Sequence, residues 1–307
     1  MENTNGFLIL DKHKGCTSHD CVKQIRKIYN TRKVGHTGTL DPQVTGVLPL
    51  AIGNATKFIQ YLPKEKTYLG TIQLGIRTNT DDIHGEIIRR KKWPIIKKEE
   101  LEKYLNLYRG TFQQVPPRVS SIHINGERAY KKSFRNENFE IAPKSVHISQ
   151  ITLKEWDAIN GKIEMIIKCS AGTYIRSLAR DLGMSMDTEG CLESLIRMKS
   201  SGFYKKDSIK MDQVIQSSLN KNKYIIPTIK ALNHLPKYIL QNEEEYHYWV
   251  TGRRILIKMD DLQLNEEIKN EKISIVIDTN NNLLGIGIFL LDDSKLKLQP
   301  KLVLNAR

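Results

Sequence analysis

GHTGTLDPQVTG, Gly35 to Gly46, carries one carboxylate in twelve residues, within a chain of net charge +14. Gly35, Gly38 and Gly46 let the backbone approach a ligand closely and adopt positive φ. Pro42 biases Asp41 away from helical geometry and fixes the direction in which the chain leaves. Such a loop can hold a carboxylate rigidly in a cleft, where it serves as base, metal ligand or nucleophile. A metal would call for further acids, and the loop has none. The glycines do not form the G-x-x-x-x-G-K-[ST] phosphate loop. An Asp-Pro turn that only caps a loop also accounts for Asp41. The dense company of His36, Thr37 and Thr39 argues for more.

The rest of the composition narrows the setting. A chain of 307 residues, 39% hydrophobic, can form about two domains with a sizeable core. Its longest apolar run, LLGIGIFLL (Leu283 to Leu291), falls well short of the ~20 residues of a membrane span. The N-terminal MENTNGFLILDK has no basic segment followed by a longer apolar one, so the expected location is the cytoplasm. Four cysteines, none in a C-x-x-C pair, are too sparse for a disulfide scaffold. With eight dispersed histidines they offer no metal-ligand spacing. The positive charge suits a polyanionic partner, nucleic acid above all, or a lysine-rich proteome. It is uneven: residues 241–307 hold 9 basic and 11 acidic side chains, which leaves +16 on residues 1–240.

Along the chain, FLILD (Phe7 to Asp11) reads as a strand. Thr17 or Ser18 can cap a helix running to about Tyr29, with Cys21, Val22, Ile25 and Ile28 on one face. Asn54 opens a short helix. Residues 66–76 alternate as a strand, with Tyr68, Ile72, Leu74 and Ile76 on one side. RRKKW (Arg89 to Trp93) reads as a solvated turn, and Lys97 to Leu107 as a helix. Residues 109–148 mix prolines, seven Lys or Arg residues and the aromatics Tyr130, Phe134 and Phe139. This stretch reads as a surface insertion, either an RNA-contacting element or an ordinary exposed loop and helix. KIEMIIKC (Lys162 to Cys169) is a strand. Thr173 can cap the helix that follows, with Gly183 closing it and with Arg176 and Arg180 off its apolar stripe. Beyond about residue 240 the pattern (RRILIK, ISIVID, LLGIGIF, KLVL) is that of a small all-β module.

The same residues carry a family resemblance. GHTGTLDPQVTGVLPLAIGNATKF resembles the signature of the TruB family of tRNA pseudouridine synthases. DKHKGCTSHD (Asp11 to Asp20), KTYLGTIQLGIRTNTDDIHG (Lys66 to Gly85), QVPPRVSSI (Gln114 to Ile122), CSAGTYIRSLARDLG (Cys169 to Gly183) and LESLIRMKSSGF (Leu192 to Phe203) follow in the family's order. They cover most of residues 6–205. The resemblance implies an α+β fold: a pseudouridine-synthase catalytic domain whose mixed, mainly antiparallel sheet is flanked by helices. It implies a catalytic domain over 1–238, a thumb-like RNA-binding insertion over 109–148 and a small PUA-like β domain over 239–307. The implied reaction isomerises uridine-55 in the TΨC loop of tRNA, flipping the base, breaking the N-glycosidic bond and rejoining the uracil through carbon 5. It implies no cofactor, no metal, no membrane and no protein partner, with the tRNA T-arm bound by a monomer.

Roles follow position by position. Asp41 matches the family's nucleophilic aspartate and Arg176 the arginine that pairs with it. Tyr68 matches the tyrosine stacked on the flipped uracil, where a core tyrosine is the reading without the resemblance. His36 matches the histidine that steadies the altered tRNA loop. Leu195 matches an apolar residue under the target base, and equally suits helical core packing. Lys12 lies in the first motif, where it would support the active-site loop. There the family's lysine–proline is Lys12-His13, which relaxes the local backbone. A guide-RNA-dependent synthase and a tRNA-folding or binding protein with secondary catalysis are the alternatives. The thumb-like stretch argues against the first, and intact Asp41, Tyr68 and Arg176 against the second.

Overall fold

The computed structural model describes residues 4–217, 220–257, 271–292 and 295–304. In chain order the first unit contains β1 (Gly6–Lys12), α1 (Ser18–Tyr29), β2 (Val34–His36), β3 (Thr45–Ile52) and β4 (Lys66–Leu74). A 3-10 helix, Gly53–Tyr61, links β3 to β4. Next come a hairpin of β5 (Ile76–Thr78) and β6 (Ile87–Arg90), then α2 (Lys98–Asn106) and β7 (Gly110–Gln114). A small hairpin of β8 (His123–Ile124) and β9 (Glu127–Arg128) precedes α3 (Ala129–Phe134). β10 (Lys144–Asp157), β11 (Lys162–Cys169), α4 (Ile175–Ser185), β12 (Gly190–Ser200) and β13 (Phe203–Tyr204) complete the main sheet and its largest helix.

The main sheet is mixed and mainly antiparallel, as expected. Its order is β1-β3-β12-β4-β11-β10-β7, with β2 beside β3 and β13 beside β12. β3 and β12, among its described strands, run parallel, paired at Ile196↔Thr45 and Arg197↔Gly46. Gly46 has φ +102°, and a Cβ there would sit 2.3 Å from the carbonyl oxygen of Arg197. Only glycine lets the Asp41 loop enter the sheet at this point. β1 and β3 are apolar along nearly their whole length because both sheet faces are covered here. On one face α1, α2 and α4 bury Leu8, Leu48, Ile25 and Leu178. On the other, Phe7, Val47 and Phe58 pack with Ile275 and Ile286 of the C-terminal sheet.

α1 begins as its sequence requires. Thr17 is the N-cap, and its hydroxyl and the Asp20 carboxylate form a reciprocal capping box. The start of α4 differs from expectation. Its N-cap is Tyr174, with no side-chain cap. The Gln114 amide serves instead, donating to the Tyr174 carbonyl at 3.1 Å and accepting from its N–H at 2.9 Å. Gly183 does not close the helix, which runs on to Ser185. Its missing side chain lets β12 approach: a Cβ at 183 would sit 2.4 Å from the Gly190 nitrogen.

Three further local readings are corrected. Arg89 and Arg90 pair with β5 as a strand, so RRKKW is not simply a turn. Trp93 at its end is half-buried, and its indole N–H donates to the Ala158 carbonyl at 3.0 Å. The ends of the expected insertion, Gly110–Gln114 and Lys144–Ile148, are paired strands of the main sheet, so only the part between them leaves the sheet. Leu195 lies on a strand, which removes the helical packing reading.

After α5 (Met211–Gln216) and α6 (Thr228–Ala231), the chain enters a second, five-stranded sheet. Its strands are β14 (Lys237–Ile239), β15 (Ile255–Ile257), β16 (Ile273–Ile277), β17 (Leu283–Asp292) and β18 (Lys295–Val303), in the order β14-β16-β17-β18-β15. The module is strand-rich as expected, yet not all-β: α7 (Glu243–Val250) inserts the fully buried Trp249 beside Phe289. Lys258, the end of the RRILIK run, lies outside the described residues. All four cysteines are free thiols, three of them buried.

Phe7 is fully buried at the junction of the two sheets, its ring centroid 6.0 Å from that of Phe203. Phe7→Ala is expected to cost about 3–5 kcal/mol of stability, read as a drop in the urea midpoint. A loss under about 1 kcal/mol would mean that the junction collapses to fill the space.

Candidate active site

The loop between β2 and β3 is held from beneath by two buried cations. Arg197, with no exposed surface, donates from Nε to the Val47 carbonyl at 2.7 Å. Its Nη atoms reach the carbonyls of Gly38 at 3.0 Å and Thr39 at 3.3 Å. Lys12, 1% exposed, donates from Nζ to the carbonyls of His13, Cys16 and Pro42 at 2.8–3.1 Å. Lys12 thereby ties the first motif to the Asp41 loop, and burial lowers its pKa. The pattern DKHKG thus keeps its anchoring lysine although His13 stands where the family has proline. Ser18 adds a third tie, accepting from the Leu40 N–H at 2.8 Å and donating to the Leu40 carbonyl at 3.1 Å.

So anchored, Asp41 projects from the loop with its side chain about half exposed. Its Oδ2 lies 3.0 Å from Nη2 of Arg176. Arg176 sits in the first turn of α4, buried, and its guanidinium is itself fixed. Nη1 donates to the Thr80 carbonyl at 3.0 Å and Nη2 to the Val119 carbonyl at 2.9 Å. A second carboxylate, Asp82, stands 3.8 Å from Nη1. One arginine therefore faces two acids, and its orientation is set by backbone carbonyls rather than by either acid alone.

Asp41 and Arg176 border a cleft of about 730 Å³ that also receives Tyr68, His36, Leu195 and Lys66. Tyr68 is buried on β4, with its pKa pushed up to about 12 chiefly by burial. Leu195 stands opposite Gly70 in register, and a Cβ at Gly70 would sit 2.9 Å from its Cδ1. Tyr130 and the exposed Phe134 of α3 form the outer wall. A second cavity of about 390 Å³ shares Asp41, Arg176 and Leu195 and adds Asp82 and His84. Among the described residues no three His, Cys, Asp or Glu side chains group as metal ligands.

Five of the six residues singled out in the sequence, Asp41, His36, Tyr68, Arg176 and Leu195, line this one cleft. Lys12 lies behind it. The sequence reading missed Asp82, Lys66 and Arg197. Lys66 had a usable signal, since it stands two residues before Tyr68 on one strand and so shares its face. Arg197 had none: an arginine in LIRMK gives no sign that it is buried, or which carbonyls it meets.

Burial, with the charges of Arg197, His19 and Lys66, lowers the pKa of His36 below its ordinary 6.5. The ring therefore stays neutral at a pH where the unfolded chain takes up the proton. Stability is lost as the pH falls below about 6.5, because the unfolded state then binds more protons. The fall in urea midpoint between roughly pH 7.5 and pH 5.5 should be smaller in His36→Gln than in the parent protein. An equal fall in both would contradict a neutral, half-buried imidazole.

The geometry can be set beside known proteins. Residues 26–175 match the model of the TruB family pseudouridylate synthase N-terminal domain. Over its full length the chain is 57% identical to tRNA pseudouridine synthase B of Prochlorococcus marinus strain MIT 9301, all of which is covered. It is 43% identical to the protein of the same name from Synechococcus sp. strain CC9311, again with both chains covered in full. Among solved structures, one described as a Cbf5-Nop10-Gar1 complex aligns with a TM-score of 0.70, 24% identity, and 97% of this chain and 84% of that one covered. One of an H/ACA RNP bound to a substrate RNA aligns equally well, at 22% identity and the same coverage. These two establish the fold alone. The full-length identity to the curated synthases decides the family: this chain belongs to the TruB family of pseudouridylate synthases.

Proposed function

We propose that this protein isomerises uridine-55 in the TΨC loop of tRNA to pseudouridine, with Asp41 as the nucleophile. The observation that carries the reading is the ion pair of Asp41 with a fixed Arg176, 3.0 Å apart, at the mouth of a cleft walled by Tyr68. The target uridine leaves its stack and enters that cleft. Tyr68 stacks on the uracil and Leu195 packs beneath it, while His36 steadies the tRNA loop left behind. Arg176, 3.0 Å away, pairs with the Asp41 carboxylate and aims it into the cleft.

The Asp41 carboxylate bonds covalently to the nucleotide while the N1–C1′ bond breaks. The uracil then turns, a C5–C1′ bond forms, C5 gives up its proton and N1 gains one. Asp41 is released unchanged, so the reaction is a net isomerisation and calls for no cofactor. Lys12, through its three carbonyls, positions the loop and touches no substrate. In this reading residues up to about 238 form the catalytic unit, with the segment between β7 and β10 as its thumb over the T-arm. The remainder is a PUA-like unit, and the working form is a cytoplasmic monomer without a protein partner. No helix among the described residues is long and apolar enough to cross a membrane.

The relatives at full-length identity favour a stand-alone enzyme over a guided one, since they are named as tRNA pseudouridine synthases. The test is pseudouridine mapping on an unmodified tRNA transcript incubated with the purified protein and no guide RNA. Product confined to the TΨC-loop uridine is expected. No product with tRNA binding retained would shift the reading to a guided enzyme or an RNA-folding protein.

Asp41→Asn keeps the shape of the side chain and removes its nucleophilic oxygen. It should abolish product while tRNA affinity changes less than about threefold, since phosphate contacts made elsewhere dominate binding. A large loss of affinity in this variant would sink the separation of binding from chemistry.

A further inference from the structure

We infer that Lys66 is a phosphate-binding residue of the cleft, whose ammonium holds a backbone phosphate of the RNA strand next to the nucleotide that enters. This deepens the proposed function and rests on it. Lys66 opens β4, between Cys169 of β11 and Ser200 of β12, and faces the cleft from the same side as Tyr68.

Three observations point to an anionic ligand. First, Lys66 is without an ion pair or hydrogen bond from its ammonium among the described residues. Its neighbour Glu65 pairs instead with Lys199 at 3.5 Å, and Asp41 is taken by Arg176. Second, it is half-buried beside another cation, so burial and Arg197 lower its pKa to about 8. A partly desolvated ammonium without a counter-charge is costly, and such groups concentrate where a ligand supplies the missing charge. Third, the loop leaves room for it. A Cβ at Gly38 would sit 3.0 Å from Nζ of Lys66 and 3.7 Å from Nη1 of Arg197. The glycine three residues before Asp41 is thus the space in which the ammonium stands.

The surroundings select the ligand. Arg197 is already engaged by three carbonyls and has no exposed surface, so it contributes its charge rather than a direct contact. His36, on the same wall, has a buried Nδ1 with no partner among the described residues, and His19 lines the same cleft. A compact ammonium with free donors beside a second cation suits a phosphodiester oxygen. The substrate brings one such group on each side of every nucleotide. A carbonyl oxygen of the uracil is the competing ligand, and it would place Lys66 in the chemistry instead.

The test pairs Lys66→Met and Lys66→Arg with T-arm stem-loop RNAs carrying one neutral methylphosphonate at each phosphate around the target uridine in turn. For Lys66→Met we expect about a tenfold loss of affinity, the loss of one charge-assisted contact. The slope of log K against log salt should shrink by about 0.7, the value of one phosphate contact on a single strand. KM should rise more than kcat falls, and Lys66→Arg should restore most of the affinity. In the parent protein one methylphosphonate position should lower affinity by a similar factor, with no additional loss in Lys66→Met. The modified RNAs leave the protein intact, so they decide the matter even where a Lys66 variant folds poorly.

A fall in kcat with KM and salt slope preserved would overturn the proposal in favour of contact with the base. Independent, additive losses from the variant and from every methylphosphonate would overturn it as well. Failure of the proposed reaction itself would look different, since the parent protein would then make no pseudouridine on any of these RNAs.

Discussion

Two positive charges buried beneath a backbone turn organise the site. Arg197 and Lys12 have almost no exposed surface, and between them they donate to the carbonyls of Gly38, Thr39, Pro42 and Val47. A buried charge is tolerated where hydrogen bonds satisfy it, and here carbonyl dipoles supply them. The consequence is mutual. The cations gain their partners only when the loop is closed, and the loop gains a defined shape only when the cations are in place. Gly46 adds the steric condition, since its absent side chain lets β3 lie against Arg197 of β12 in their parallel pairing.

With the backbone so occupied, the side chain of Asp41 is left to face the cleft. Its partner Arg176 comes from an element far along the chain and is oriented by carbonyls of two other segments, at Thr80 and Val119. The charge pattern is thus layered: buried cations on backbone carbonyls, then the ion pair at the mouth, then the Lys66 ammonium on the cleft wall beside His36 and His19. The lone acid of the loop and the excess of base over acid in the composition are the same design seen at the level of the sequence. A polyanionic substrate meets the Lys66 ammonium on the cleft wall, and the one loop carboxylate is held by its own arginine.

Much of this was legible in advance, for local reasons. The strand FLILD, the helix capped at Thr17 and the alternating KTYLGTIQL each rest on periodicity or capping within a few residues. The failures have a common cause. Trp93 looked solvated because four basic residues precede it, yet its ring closes over Gly75 and Gly161. The start of α4 looked like a Thr173 cap, yet Gln114, sixty residues earlier, supplies the hydrogen bonds. Leu195 looked equally suited to a helix because LESLIRMKS holds both periods, and pairing with β4 decided for the strand.

By itself the sequence determined the family, the mixed α+β architecture and five residues that meet in one cleft. Those follow from motifs whose residue types and spacing are local to each element. Only the tertiary structure decided that Arg197 and Lys12 lie under the Asp41 loop, that Asp82 shares Arg176, and that Lys66 stands in the space left by Gly38. Each of those is a meeting of segments distant along the chain. A side chain's burial and partners there depend on which strands pair and which glycines let them approach, and no local pattern encodes that.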